Sequence, residues 1–224
     1  MSGDASAPAI VLATRSRDKL RELRPIFAAA GFGVLDLDAA GMPEERAVEE
    51  LLERYETFEE NALAKARHFF ERSGGVRPVV ADDSGLEVFA LGGQPGVRSK
   101  RWSERSDLSG VALDAANNEK LLAELEKVER NGSASAEAQA YGRRGRYVCA
   151  AAYVDGQQER VFRGECAGHI LAAPRGAGGF GYDPLFELEG TSYTFAEIER
   201  AAKERVSHRG KAFAQLVAAL REWS

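Results

Sequence analysis

The most constraining feature of the chain is its opening, where the apolar run Ala9 to Thr14 passes directly into Ser16 and a stretch with Leu20, Leu23, Ile26 and Phe27 at helical spacing. Branched apolar residues suit a buried strand, Ser16 stands where an N-cap belongs, and Gly31 can end the helix. The segment reads as a strand, a turn and a helix, and Gly33 to Leu37 can supply a second strand. The acidic stretch Pro43 to Glu56 fits helix and loop equally well.

The alternation continues. Thr57 and Glu60 have the Thr-x-x-Glu spacing of a capping box, and Phe58, Ala62, Ala66, Phe69 and Phe70 predict a helix halted by Gly74 and Gly75. Val79 to Ala81 predicts a short strand ending at Asp82, Asp83, Ser84 and Gly85, with another strand from Leu86 to Leu91. A helix is expected from Leu113 to Val128, and Asn131 to Gly145 reads as a long surface loop, with Arg143, Arg144 and Arg146 read as solvated. Tyr147 to Val154 and Glu159 to Cys166 flank Asp155-Gly156, a hairpin signal. Thr194 and Glu197 repeat the capping-box spacing ahead of a helix to Arg205. Ser207-His208-Arg209-Gly210 then opens a last helix marked by Phe213, Leu216, Val217 and Leu220. Interleaved strands and helices with a late hairpin predict an α/β fold, a mixed sheet flanked by helices.

Composition narrows the function. Of 224 residues, 44% are hydrophobic and 29% charged, the balance of a folded globular chain, and the formal charge of −5 argues against a broad grip on nucleic-acid polymers. Any anion site must be local. No apolar run approaches the ~18 residues of a membrane span, and residues 1–8, read as a short N-terminal extension, lack a signal-peptide layout, so a cytoplasmic location without membrane contact is expected. Cys149 and Cys166 lie in separate strand-like runs and read as structural thiols rather than a disulfide or zinc site.

Several motifs carry chemistry. Thr14 to Lys19 places hydroxyls, a lysine and helix N-terminal amides after a strand, which suits phosphate, although an ordinary capped helix explains the same residues. Asp82 and Asp83 offer hard oxygen ligands and a carboxylate to activate water, or else close an Asx-type turn. Glu49, Glu50, Glu53 and Glu56 lie upstream, and Asn61 and Lys65 share one helix face. Gly176, Gly178 and Gly181 satisfy Gly-x-Gly-x-x-Gly but neither follow a strand nor open a helix, so a loop is expected rather than a dinucleotide site. His68 and His169 show no partner in the sequence.

Six segments together resemble the Ham1/RdgB family of pyrophosphatases acting on non-standard purine nucleoside triphosphates, also called inosine triphosphate pyrophosphatases. They are Thr14 to Lys19; Thr57 to Ala62 with Lys65 and Ala66; Ala81 to Leu86; Gly92 to Gly96 with Ser99 and Arg101; Gly179 to Pro184; and Ser207 to Ala212. The resemblance implies hydrolysis of inosine, deoxyinosine and xanthosine triphosphates to the monophosphate and pyrophosphate, with Mg2+, by a cytosolic homodimer. It implies one catalytic domain over residues 9–224, an elongated mixed α/β structure with a substrate groove between two lobes. By the same resemblance Asp83 is the catalytic carboxylate and a metal ligand, with Glu53 as its metal partner. The substrate-binding residues would be Thr14, Arg15, Ser16, Arg17, Asp18, Lys19, Lys65 and Ser84, together with Gly181, Tyr182, Asp183, Lys203, His208, Arg209 and Phe180, which stacks on the purine. Ser16 stands where the family usually has asparagine. A Maf-type pyrophosphatase with another nucleotide preference, and a nucleotide-binding regulator without hydrolysis, are the alternatives.

Overall fold

A computed structural model describes residues 9–130 and 140–223; residues 1–8, expected to be an extension, part of the expected 131–145 loop and the side chain of Glu50 lie outside the described part. Within it, the strands are β1 (Ile10–Leu12), β2 (Val34–Leu35), β3 (Val79–Val88), β4 (Arg144–Val154), β5 (Glu159–Ile170) and β6 (Phe186–Leu188). The helices are α1 (Arg17–Ala29), α2 (Phe58–Arg72), α3 (Gly110–Arg130), α4 (Arg200–Val206) and α5 (His208–Trp223). The strands form one sheet in the order β2-β1-β3-β4-β5-β6. It is mixed: β1 pairs in parallel with both β2 and β3, and β5 pairs antiparallel with β6. β4 and β5, neighbours joined by only four residues, must also run antiparallel. The mixed α/β sheet expected from the sequence is therefore present.

The chain divides into two compact units. The first holds the described residues through Asp83 with Ala150–Arg163 and the end of the chain from Ala212; the second holds Ser84–Cys149 and Gly164–Lys211.

In the first unit, strand order decides where the helices go. The chain leaves β1 through α1 to reach β2 on one side, then returns through α2 to β3 on the other. Right-handed crossovers in opposite directions put α1 and α2 on opposite faces of the sheet. Both helices start as the sequence predicts. The Ser16 Oγ accepts from the Lys19 N–H, and the Thr57 Oγ1 accepts from the Glu60 N–H while donating to the Glu60 carboxylate. Leu23 and Phe27 of α1 and Phe58, Ala62, Ala66 and Phe69 of α2 are buried. Phe27 meets Phe213 of α5 edge to face, with ring centroids 5.9 Å apart.

The second unit is built on Leu86, Val88, Leu121, Leu125, Tyr147, Ile170, Tyr182, Leu185, Phe186 and Phe195, all buried. Tyr147 is its hub: its ring lies 4.7 Å from Phe186 and stacks on His208 at 4.6 Å. Burial pushes the Tyr147 hydroxyl well above its ordinary pKa, so it stays protonated. Cys166 lies in this core and Cys149 is also buried, and burial raises the Cys166 thiol to about 11.

Four local expectations change. Asp82 to Gly85 are not a turn between two strands: β3 runs unbroken from Val79 to Val88, and Phe89–Leu91 form a 3-10 turn. The Asp-Asp-Ser-Gly run has turn chemistry, but pairing with β1 begins just upstream, at Val79 and Val80, and lysines neutralise the acids. Second, Thr194 and Glu197 do not cap a helix. The Thr194 hydroxyl donates to the Arg175 carbonyl, its N–H donates to Glu197, and α4 starts only at Arg200. Third, α3 is longer at both ends than expected, and β4 begins at Arg144 rather than Tyr147. Fourth, the three arginines are paired rather than merely solvated. Arg143 binds Glu129, Arg144 lies 3.5 Å from Glu189, and Arg146 bridges Glu87 and Glu165.

Candidate active site

The first unit gathers its acids at the carboxyl end of β1 and the middle of β3. Adjacent residues of a strand point to opposite faces, so Asp82 and Asp83 address different helices. Asp82 takes the α1 side, 2.9 Å from Lys19 Nζ. Asp83 takes the α2 side, accepting from Asn61 Nδ2 at 3.0 Å with Lys65 Nζ at 3.7 Å. The opposite crossovers of α1 and α2 make β1 and β3 a switch point, and ligands of open α/β sheets bind beyond the carboxyl ends of strands at such points. Sequence order thus delivers the paired acids and the Thr14 to Lys19 turn to the same end of the same strands.

Lys65 is the centre of this cluster. It is 9% exposed, donates to Glu53 at 2.8 Å and to the Asp82 carbonyl at 2.7 Å, and so ties the 3-10 segment Ala47–Glu53 to β3. Burial alone would lower its pKa, but Glu53, Asp83 and Asp82 outweigh that and hold it charged. Asp83 moves the other way. Burial and the neighbouring Glu53 raise its pKa above the ordinary aspartate value, against Lys65, Lys19 and the Asn61 amide. Asn61 also accepts from the Tyr55 N–H at 2.9 Å, fixing the amide that orients Asp83.

The donor set suits a hard divalent cation. Glu53, Asp82 and Asp83 face Lys19 and Lys65, leaving one negative charge in excess, and the Lys65 ammonium already sits among the oxygens where a cation is favoured. Among the described residues no group of three or more His, Cys, Asp or Glu side chains converges on one point. Magnesium needs no such cage, being held by one or two carboxylates with phosphate oxygens and waters.

The remaining residues of the opening turn are placed differently. Arg15 makes a two-pronged contact with Glu49, at 2.8 and 2.9 Å, and donates to the carbonyls of Pro43 and Glu44. Thr14 accepts from the Ser16 N–H, Arg17 is exposed, and Asp18 pairs with Arg21. Thr14, Arg15 and Arg17 line a depression of about 440 Å³ that Lys19, Lys65 and Asp83 do not border.

The second unit carries a separate cluster around Phe180. Asp183 Oδ2 accepts from the Phe180 N–H at 2.9 Å and from Lys203 Nζ at 2.6 Å. Lys203 lies 5.1 Å from the Phe180 ring centroid, and the Arg209 guanidinium lies 5.7 Å away. Arg209 also donates to the Ser84 hydroxyl at 2.8 Å, and the Tyr182 hydroxyl donates to the Ser99 carbonyl. Gly176 to Gly181 form a loop after β5, as expected in place of a dinucleotide fingerprint. His208 is the first residue of α5, buried and stacked on Tyr147. A half-buried aromatic face bordered by two cations and a carboxylate can hold a flat, polar-edged ring.

A sequence model of the Ham1 family matches residues 10–219. The chain belongs to the Ham1 family. It is 48% identical over 216 residues to a dITP/XTP pyrophosphatase of Frankia alni, covering 95% of this chain and 97% of that protein. A dITP/XTP pyrophosphatase of Mycobacterium tuberculosis is 47% identical over 214 residues, covering 95% of both. Among solved structures, a Ham1 protein of Coxiella burnetii superposes with a TM-score of 0.77 at 31% identity, covering 96% of this chain and 99% of that one. The Staphylococcus aureus Ham1 protein gives 0.74 at 32%, covering 96% and 100%.

Two features of this Ham1 chain escaped sequence reasoning. Glu49 holds Arg15 and also Arg72, which distinguishes it from Glu53. On α3, Asp114 and Asn118 both reach Gly181. Their i, i+4 spacing was the only signal, and it is shared with ordinary solvated helix faces.

Proposed function

We propose that the chain hydrolyses non-standard purine nucleoside triphosphates, inosine, deoxyinosine and xanthosine triphosphate, to the monophosphate and pyrophosphate. The observation that carries this is the buried Asp83, aimed by Asn61 beside Glu53 and Lys65, in a chain close to proteins named dITP/XTP pyrophosphatases. Asp83 orients a water toward the α-phosphorus and accepts its proton. The water oxygen bonds to that phosphorus as the bond to the bridging oxygen breaks, and that oxygen departs with pyrophosphate. Lys19 and Lys65 hold phosphate oxygens; the Ser16-capped turn with Thr14, Arg15, Arg17 and Asp18 borders the chain of phosphates, and Ser84 completes the set. Magnesium held by Glu53 and Asp83 would supply charge neutralisation for the triphosphate and the leaving group.

Phe180 stacks on the purine, and Gly181, Tyr182, Asp183, Lys203, His208 and Arg209 shape and read its edge. Hypoxanthine and xanthine present an oxygen at the 6-position where adenine presents an amino group. A fixed donor then pairs with the first two and meets another donor in ATP, a difference that can reach ~10⁴ in selectivity. In this reading residues 9–224 act as one catalytic domain, in the cytoplasm, as a homodimer; sedimentation at micromolar concentration tests the dimer.

The deciding experiment supplies ITP, XTP, ATP and GTP with magnesium to the unaltered chain and to Asp83→Asn, and identifies the products. Inosine monophosphate with pyrophosphate, abolished by the substitution, is the expected result. A diphosphate with orthophosphate would contradict the bond assignment, and ITP binding without turnover would favour a regulator.

A further inference from the structure

We propose that Asp114 and Asn118 of α3 are positioning residues that set how well the purine is held, by clamping the two peptide groups on either side of Gly181. The proposal rests on the reading of Phe180 as the base-stacking residue.

The geometry is two-sided. The Asp114 carboxylate accepts from the Gly181 N–H at 2.8 Å, and Asn118 Nδ2 donates to the Gly181 carbonyl at 3.1 Å. Holding both peptide groups fixes both backbone torsions of the glycine between them. Gly181 sits at φ 63°, and a Cβ there would meet nothing within 4 Å, so glycine is present for conformation and not for lack of room. That freedom would be a weakness in a loop whose preceding residue is Phe180 and whose next polar anchor is Asp183. At Gly179, also at positive φ, room is lacking as well: a Cβ would run into the Asp183 carboxylate, so the loop is closed tightly there by contact. At Gly181 the restraint comes from α3, which holds its N–H and its carbonyl.

Asn118 shows a preference. With its amide donating to Gly181, its buried Oδ1 finds no hydrogen-bond partner among the described residues. A buried acceptor left unpaired is unfavourable, and turning the amide over would set Oδ1 against the Gly181 carbonyl. Neighbouring Asn117 is satisfied at both ends, accepting from the Ser103 N–H and donating to the Lys100 carbonyl, and anchors this stretch of α3.

A clamped loop presents Phe180 ready for stacking, whereas a loose one must be ordered when the base arrives, which weakens binding without touching the hydrolytic carboxylate. Asp114→Ala and Asn118→Asp, the latter of equal size but unable to donate, should each raise KM for ITP roughly tenfold with kcat within about threefold. Both should also narrow the preference for ITP over ATP. Asp114→Asn, which keeps an acceptor, should restore near-native KM. Ribose 5-triphosphate, which lacks a base, should show unchanged kinetics with every variant.

Equal losses on ITP and ribose 5-triphosphate, a fall in kcat with KM unchanged, or no change at all would overturn the assignment. Should Asp114→Ala fail to fold, the isosteric Asn118→Asp decides. If the unaltered chain does not turn over ITP, the hydrolase reading itself falls, a result distinct from normal turnover with insensitive variants.

Discussion

The acid cluster of the first unit stands on regular elements and the aromatic cluster of the second on a loop. Asp83, Asn61 and Lys65 stand on a strand and a long helix and hold one another through charged or strongly dipolar side chains, with backbone groups of Tyr55 and Asp82 completing the set. Phe180 and Asp183 stand on an irregular, glycine-rich loop whose backbone is held by Asp114, Asn118 and its own Asp183, with Lys203 paired to Asp183. The difference matches the tasks proposed for them. Bond cleavage needs charges fixed against their own repulsion, whereas base selection needs a surface whose exact placement, more than its charge, decides affinity.

The largest effect should come from Asp83→Asn, which removes the carboxylate proposed to activate water and should lower turnover by about three orders of magnitude while leaving base preference in place. Pyrophosphate release and equilibrium binding, measured side by side, check it. Loss of base preference in the same variant would break the separation of tasks.

Next in size is Glu49→Gln, expected to lower folding stability by about 2 kcal/mol at neutral pH because Arg15 and Arg72 lose a charged acceptor. Burial alone would raise the Glu49 pKa, but hydrogen bonds from Arg15 and the Arg46 N–H, with the charge of Arg72, hold it below the usual carboxylate range. The unfolded chain therefore binds that proton more readily, so the contribution is present above the unfolded pKa and lost as pH falls through the folded one. Denaturant unfolding at neutral and acid pH should show the gap between the two proteins closing on acidification; a constant gap would show that packing, not charge, holds the first unit together here.

Phe180→Ala should raise KM for ITP about tenfold, the worth of one base stack, with little change in kcat or thermal stability. A drop in kcat on ribose 5-triphosphate would show that the aromatic cluster takes part in cleavage after all. The smallest effect belongs to Arg67→Ala. Its pair with Glu159 is solvent-exposed, so stability should fall by less than about 1 kcal/mol and kinetics should not move.

What the sequence disclosed followed the range of the interactions. Ser16, Thr57 with Glu60, and Asp155-Gly156 act within a few residues, and each stands where its spacing predicts. Asp82 to Gly85 misled because local turn chemistry lost to a strand that β1 pairs just upstream, at Val79 and Val80, and to Lys19 and Lys65, contacts set by the fold. Thr194 misled for the same reason, its hydroxyl being taken by the Arg175 carbonyl. Arg146 finds Glu87 and Glu165 far along the chain, so no local pattern could separate it from a solvated arginine. The acid cluster was legible since its members fall in short, dense motifs, while the α3 contacts to Gly181 join stretches that neither pattern nor spacing connects.

The unbroken course of β3 has a consequence for how a chain of this kind can change over generations. Substitutions at many positions leave the count of residues intact, but one residue inserted between Ala81 and Asp83 would turn every later side chain of the strand to the other face. The carboxylate that meets α2 would then meet α1, with a different lysine and no asparagine to aim it. The four-residue turn between β4 and β5 could grow without any such penalty. Drift in length is therefore open to the turns and closed to this strand, whose two aspartates meet their separate lysines only because they are counted correctly from β1.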